Sequence, residues 1–194
     1  MYKAIVAIIR FLVTIVAGLE VQGQENIPEQ GGAIVAGTHT TLLDPVAIAI
    51  AIKRPVHFMA KVELFKTPLL RWLFTSVYAF PVKRGLADRE ALRVAQERII
   101  EGNLLGIFPE GTRNITDDQL LPLQGGASLM AIKTGVPVIP TVVSGVKPFR
   151  LRKPIKVTFG KPIDLGGPRR ANKKEVAEGT KMISAEFSSL LKQE

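Results

Sequence analysis

AIVAGTHTTLLDPVAIAI, residues Ala33–Ile50, decides the architecture. Its first five residues are small and apolar with no polar alternation, the pattern of a strand buried on both faces. Asp44-Pro45 then reads as a helix start, aspartate as the cap and proline at the first helical position, before VAIAIAIK. Strand, short turn and helix in that order make the repeating unit of an α/β protein. The turn also carries His39, one of only two histidines in the chain, and Asp44 follows five positions later.

The same alternation continues outward. PVHFMA (55–60), YAFPVKR (78–84), LLGIFP (104–109), VPVIPTVV (136–143) and KVTFGKPI (156–163) read as strands. Between them, ELFKTPLLRWLFTSV has helical apolar spacing that Pro68 must break or restart. Asp88 can cap DREALRVAQERIIEG, where Leu92, Ala95 and Ile99 share one face, and GGASLMAIKTG ends at Gly135. Residues 171–192 form a polar amphipathic helix weakened by Gly179, and VQGQENIPEQGG reads as turns. The expectation is one α/β domain, a mostly parallel or mixed central sheet flanked by helices, over residues 23–194. Residues 1–22 precede it as an N-terminal membrane-associating helix.

Composition narrows the function. The chain has 194 residues, 46% hydrophobic and 22% charged, enough for one domain with a proper core. With no cysteine it has no disulfide or thiolate chemistry, and two histidines without an acidic cluster give no metal site. The net charge of +9 is concentrated at the end: residues 147–194 hold twelve Lys/Arg against five Asp/Glu. Such a tail suits an anionic partner, and with aromatic residues at only 6% an acidic lipid or phosphorylated substrate fits better than nucleic acid. MYKAIVAIIRFLVTIVAGLEV is apolar but interrupted by Arg10. It fits a secretory leader poorly and is short for a membrane span. A helix lying at a membrane surface or docked on the domain, with Lys3 and Arg10 reaching headgroups, fits best.

No G-x-G-x-x-G, phosphate loop or G-x-S-x-G is present, so the chemistry should lie in the turns at strand ends. A carboxylate against one nitrogen of His39 would steady an imidazolium while the other nitrogen takes a proton from a substrate hydroxyl. FPEGTR, residues 108–113, follows a buried strand. Its Glu and Arg could form a plain rim salt bridge, yet Gly111 permits close backbone approach, Thr112 offers a hydroxyl and Arg113 is a phosphate-shaped fork. PVKRG, residues 81–85, is alone a solvated basic turn and beside FPEGTR would complete an anion pocket.

Taken in order, THTTLLD, AFPVKRG, IFPEGTR and VPVIPTVV resemble the four motifs of the glycerolipid acyltransferases, specifically the bacterial lysophosphatidic acid acyltransferase family. VQGQENIP, PVHFMAKVELFKTPLL, LLPLQGGASLMAIKTG and VTFGKPI extend the likeness over roughly residues 19–165. The resemblance implies His39 as general base and Asp44 as its orienting partner. It implies Arg84 and Arg113 on the substrate phosphate, Glu110, Gly111 and Thr112 shaping the glycerol site, and Pro137 with Val138-Ile139-Pro140 on the acyl-donor side. Two positions depart from the family pattern: Thr38 stands where asparagine is usual, and Lys83 where an acid is common, which adds to the anion pocket. The implied reaction moves a fatty acyl group from acyl-CoA or acyl-carrier protein to lysophosphatidic acid, giving phosphatidic acid, with no other cofactor. The implied location is an anionic membrane surface, the cytoplasmic face of the plasma membrane. Glycerol 3-phosphate or another lysolipid as acceptor, or a non-catalytic membrane-binding module, remain alternative readings of the same motifs.

Overall fold

In the computed structural model, which describes residues 1–83, 88–115, 120–147 and 153–193, the apolar run becomes β2 (Ala33–Gly37), every residue of it buried. Its side chains alternate between two cores. Ala33 and Val35 pack with α2 (Asp44–Ala51), while Ile34 and Ala36 face the opposite layer. A strand covered on both faces needs apolar residues at every position, which is why no polar alternation is written there.

Six more strands complete the sheet among the described residues: β1 (Leu19–Gln22), β3 (Val56–Lys61), β4 (Phe80–Val82), β5 (Leu104–Ile107), β6 (Val138–Ser144) and β7 (Ile155–Phe159). The order is β1-β7-β6-β2-β5-β3-β4, parallel throughout except for the antiparallel β6–β7 pair. β6 tolerates Pro140 because its missing N–H faces the gap between the β7 ladder, which begins at Thr141, and an isolated bridge from Val138 to Ile163. One face is covered by α1 (Tyr2–Val16) and α2, the other by α4 (Arg89–Ile100), α5 (Gly126–Thr134) and α6 (Lys173–Leu191). α3 (Pro68–Ser76) lies between β3 and β4 in the chain.

Several local expectations hold. Thr67 caps α3, with Pro68 in its first turn, so the proline starts that helix and does not break one. Asp88 accepts from Ala91 N at the head of α4. Others need correction. The segment read as turns begins with the end of β1, an edge strand whose alternation, LEVQ, spans only four residues. The last strand stops at Phe159, leaving Ile163 as a single bridge. Asp44 does not cap α2: the cap position is Leu43, and the Asp44 carboxylate turns back into the preceding loop.

α1 is 15 residues long, about 22 Å. No helix among the described residues is long and apolar enough to cross a membrane. α1 is nonetheless apolar on two sides. Tyr2, Ile5, Ile9 and Val13 are wholly or partly buried, while Ile8, Phe11, Leu12 and Ile15 form an i, i+3, i+4, i+7 stripe that is more than half exposed.

Candidate active site

The loop joining β2 to α2 folds around one carboxylate. Asp44, fully buried, accepts through Oδ2 from Thr40 N at 2.6 Å and Thr41 N at 2.7 Å, and meets His39 Nδ1 at 3.2 Å. Its Oδ1 takes the Thr41 hydroxyl at 3.0 Å and the Thr40 hydroxyl at 3.4 Å. The two threonines after His39 therefore turn the loop so that Asp44 reaches the imidazole. With Nδ1 committed to the carboxylate, Nε2 makes no hydrogen bond among the described residues. This is the arrangement that leaves one nitrogen to exchange a proton.

FPEGTR supplies the second support. Glu110, 4% exposed, accepts from His39 N at 2.8 Å and from Leu121 N at 3.3 Å. Burial pushes its carboxyl above the ordinary carboxylate range, while those two N–H donors pull the other way. On the far side of the loop, Asn114 N donates to His39 O at 2.6 Å. The backbone of His39 is thus clasped at both its N–H and its carbonyl by the segment 110–114. The sequence reading gave Glu110 a place in the substrate pocket; the structure makes it the residue that fixes the histidine's main chain.

The imidazole also rests on aromatic carbon. It stacks on Phe108 at 4.2 Å, and Phe108 stacks in turn on Phe58 at 5.8 Å. Gly106 makes room for this column: a Cβ there would lie 2.3 Å from two ring atoms of Phe58. Gly111 turns the chain back at φ +70°, a conformation that favours glycine, and brings Thr112 and Arg113 to the surface. Arg113 is exposed and has no side-chain partner among the described residues.

The other proposed positions divide. Lys83 follows β4 at the same C-terminal edge of the sheet as His39, exposed, its N–H bonded to Asp88 Oδ2 at 2.9 Å. Three strand spacings separate β4 from β2, about 15 Å, so Lys83 stands farther from His39 than Arg113 does. Arg84 lies outside the described residues. Pro137 is not brought to this edge. It precedes Val138, which pairs with Ile34 at the start of β2, and so lies at the opposite end of the strands. The part of that motif which does reach the site is Thr141, whose carbonyl accepts from Thr38 N at 3.1 Å. Lys61, passed over in the sequence, ends β3 on the same edge, two strand spacings from β2, beside Glu63 at 3.7 Å. Its place at the end of a buried strand was the available signal. No cluster of three or more metal-ligating side chains exists among the described residues.

A family model for acyltransferases matches residues 18–144, which hold the whole of this arrangement. The chain belongs to the acyltransferase family. It is 30% identical over 168 residues to the 1-acyl-sn-glycerol-3-phosphate acyltransferase of Bacillus subtilis, covering 84% of this chain and 82% of that protein. It is 31% identical over 134 residues to the enzyme of that name from Borreliella burgdorferi, 68% of this chain and 53% of the relative. In three dimensions it resembles the 1-acyl-sn-glycerophosphate acyltransferase PlsC of Thermotoga maritima, with a TM-score of 0.73, 25% identity, and coverage of 100% of this chain and 79% of that one. In this acyltransferase the fold is that of the family, and the two motifs that meet at His39 are joined by hydrogen bonds.

Proposed function

We propose that this acyltransferase moves a fatty acyl group from a thioester to the free hydroxyl of 1-acyl-sn-glycerol-3-phosphate, forming phosphatidic acid. The observation that carries the reading is the His39 ring, bonded to Asp44 through Nδ1 and clasped through its backbone by Glu110 and Asn114. Nε2 takes the proton as the alcohol oxygen attacks the thioester carbonyl. The carbon–sulfur bond breaks, and the imidazolium returns its proton to the departing thiolate. General base catalysis of this kind contributes roughly a hundred- to ten-thousandfold. Arg113, on the loop that follows the strand next to β2, is the first candidate for the acceptor phosphate, with Lys61 and Lys83 extending the positive edge. Holding the acceptor this way contributes through orientation.

The donor is acyl-CoA or an acyl-carrier protein, and the enzyme works on an anionic membrane surface, on the cytoplasmic side. Two observations support the surface. The α1 stripe Ile8, Phe11, Leu12 and Ile15 is exposed, and Leu42 and Leu43 are exposed in the catalytic loop itself. The basic end of the chain adds attraction on the order of 1 kcal/mol per suitably placed cation.

The test is a purified-enzyme assay offering lysophosphatidic acid with each thioester in turn, products separated by thin-layer chromatography. Phosphatidic acid should appear and should disappear with His39→Ala. Turnover of glycerol 3-phosphate but not of lysophosphatidic acid would move the acceptor assignment, and full activity in His39→Ala would end the base assignment.

A further inference from the structure

A cavity of about 560 Å³ lies at the β4 edge of the sheet, in the size range of small-molecule sites. His39, Asp44, Glu110 and Arg113 do not line it. Its walls are largely carbon, from Phe65, Phe80 and Tyr78 among others, and Lys66, Arg71 and Arg98 stand on it. His57 and Phe65 are its buried members, and the three cations are exposed.

His57 is the unusual member. It is 6% exposed, stacks on Tyr78 at 4.9 Å, and its ring makes no hydrogen bond among the described residues. Burial, with the nearby Arg98 charge, pushes its pKa down to about 4, so at neutral pH the ring is uncharged. A neutral imidazole carries one donor and one acceptor. Among the described residues the protein uses neither, and His57 lines the cavity.

Two further features fit an occupant. Tyr78 has φ +61°, an uncommon conformation for a bulky residue, and is held between the rings of Tyr2 and His57. That strained pose keeps the phenol as a wall of the cavity. The cations are also not equally engaged. Arg98 is paired with Glu101 at 3.0 Å. Among the described residues Arg71 gives only Nε, to Phe65 O at 3.3 Å, and Lys66 has no side-chain partner. Donors for an anion therefore remain on Lys66 and Arg71.

We propose that this cavity is a second lipid site, taking one single-chain amphiphilic anion. Its hydrocarbon lies against Phe65, Phe80 and Tyr78, its carboxylate or phosphate meets Lys66 and Arg71, and a polar oxygen bonds His57. The assignment stands apart from the acyl-transfer reading, because none of the described residues of that site lines the cavity.

Because the chain holds only two histidines, side-chain NMR of the full-length protein separates the two sites, with His39→Ala assigning the signals. Laurate below its micelle concentration should shift the His57 resonances saturably, leave those of His39 in place, and act equally in His39→Ala. Lauroyl lysophosphatidate is the second probe, and its shifting His57 in His39→Ala would identify a phosphate head where laurate fails. Inorganic phosphate should move neither histidine. Lys66→Gln, a surface change that leaves the fold intact, should weaken the His57 titration about fivefold. Four results would overturn the proposal: His57 signals unmoved by either lipid, His57 moving only in step with His39, an equal shift with inorganic phosphate, or a titration indifferent to Lys66→Gln.

Discussion

Asp44→Asn isolates the charge of the catalytic pair from its shape. Oδ2 accepts from His39 Nδ1, Thr40 N and Thr41 N, and an amide carbonyl in that place can accept from all three. The amide nitrogen then falls where Oδ1 meets the hydroxyls of Thr40 and Thr41, which can rotate and accept. The fold should lose no more than about 1 kcal/mol, a Tm change of about 2–4 °C for a chain of this size. What disappears is a negative charge 3.2 Å from a ring that becomes cationic during the reaction. The difference between a charged and a neutral acceptor is about 1–2 kcal/mol, the lower bound. Coulomb's law at that distance with an effective dielectric of about 20 gives about 5 kcal/mol, the upper bound. Turnover should therefore fall between about tenfold and a few thousandfold, with the acceptor KM little changed. The assay is steady-state thiol release from acyl-CoA with lysophosphatidic acid, beside a thermal melt. A kcat within threefold of wild type at unchanged Tm would refute the reasoning, since the carboxylate would then not be steadying the imidazolium.

Arg113→Lys should raise the KM for lysophosphatidic acid about tenfold without lowering Tm, because lysine cannot reproduce a bidentate fork and the Arg113 side chain has no partner among the described residues; an unchanged KM would remove Arg113 from the phosphate. Gly106→Ala should cost about 1–3 kcal/mol and reduce kcat together, since the new methyl must displace Phe58 and with it the Phe108–His39 column; wild-type urea stability would show that the column yields freely. Burial holds the folded pKa of Glu110 above its unfolded one, so the stability it contributes is present at low pH and lost as pH rises through the folded value. The stability of Glu110→Gln relative to wild type should therefore improve with rising pH, and parallel urea-unfolding curves across the acidic range would contradict this. His57 behaves oppositely: its pKa falls from 6.5 to about 4, so wild type should lose up to about 3 kcal/mol between those pH values, and His57→Gln should lack that slope in the same measurement.

How much of this was legible in the sequence depends on the range of the interactions involved. The apolar run 33–37 and the proline at position 45 declare strand and helix through local chemistry, and so they could be read directly. Position on the sheet could not. Pro137 and Arg113 each stand in a motif beside a buried strand, yet one lies at the N-terminal edge and the other on the loop at the C-terminal edge. Only strand direction separates them. Asp44 reads as a cap because aspartate before proline usually is one; here Thr40 and Thr41 offer their own N–H groups, and the carboxylate turns to them. Glu110 reads as a pocket residue because its partner, the N–H of His39, is 71 positions away. His57 drew no attention at all, since nothing around it in PVHFMA marks it as unpartnered.

The exposed apolar residues give the proposed reaction a direction. Leu42 and Leu43 belong to the same loop as His39 and Asp44, separated from the histidine by two threonines whose groups hold the aspartate. Leucines so exposed, 68% and 43%, contribute nothing to the core. They lie where they would meet hydrocarbon first if the C-terminal edge of the sheet faced a bilayer. In that pose the acceptor's chain need not leave the lipid for its hydroxyl to approach Nε2, which removes the cost of carrying that chain through water, about 0.8 kcal/mol for each methylene. Replacing both leucines with serine should then raise the apparent KM for vesicle-borne acceptor far more than for a short-chain soluble one, while Asp44 keeps its four threonine donors and His39. Equal effects on the two acceptors would mean that the loop does not meet the membrane.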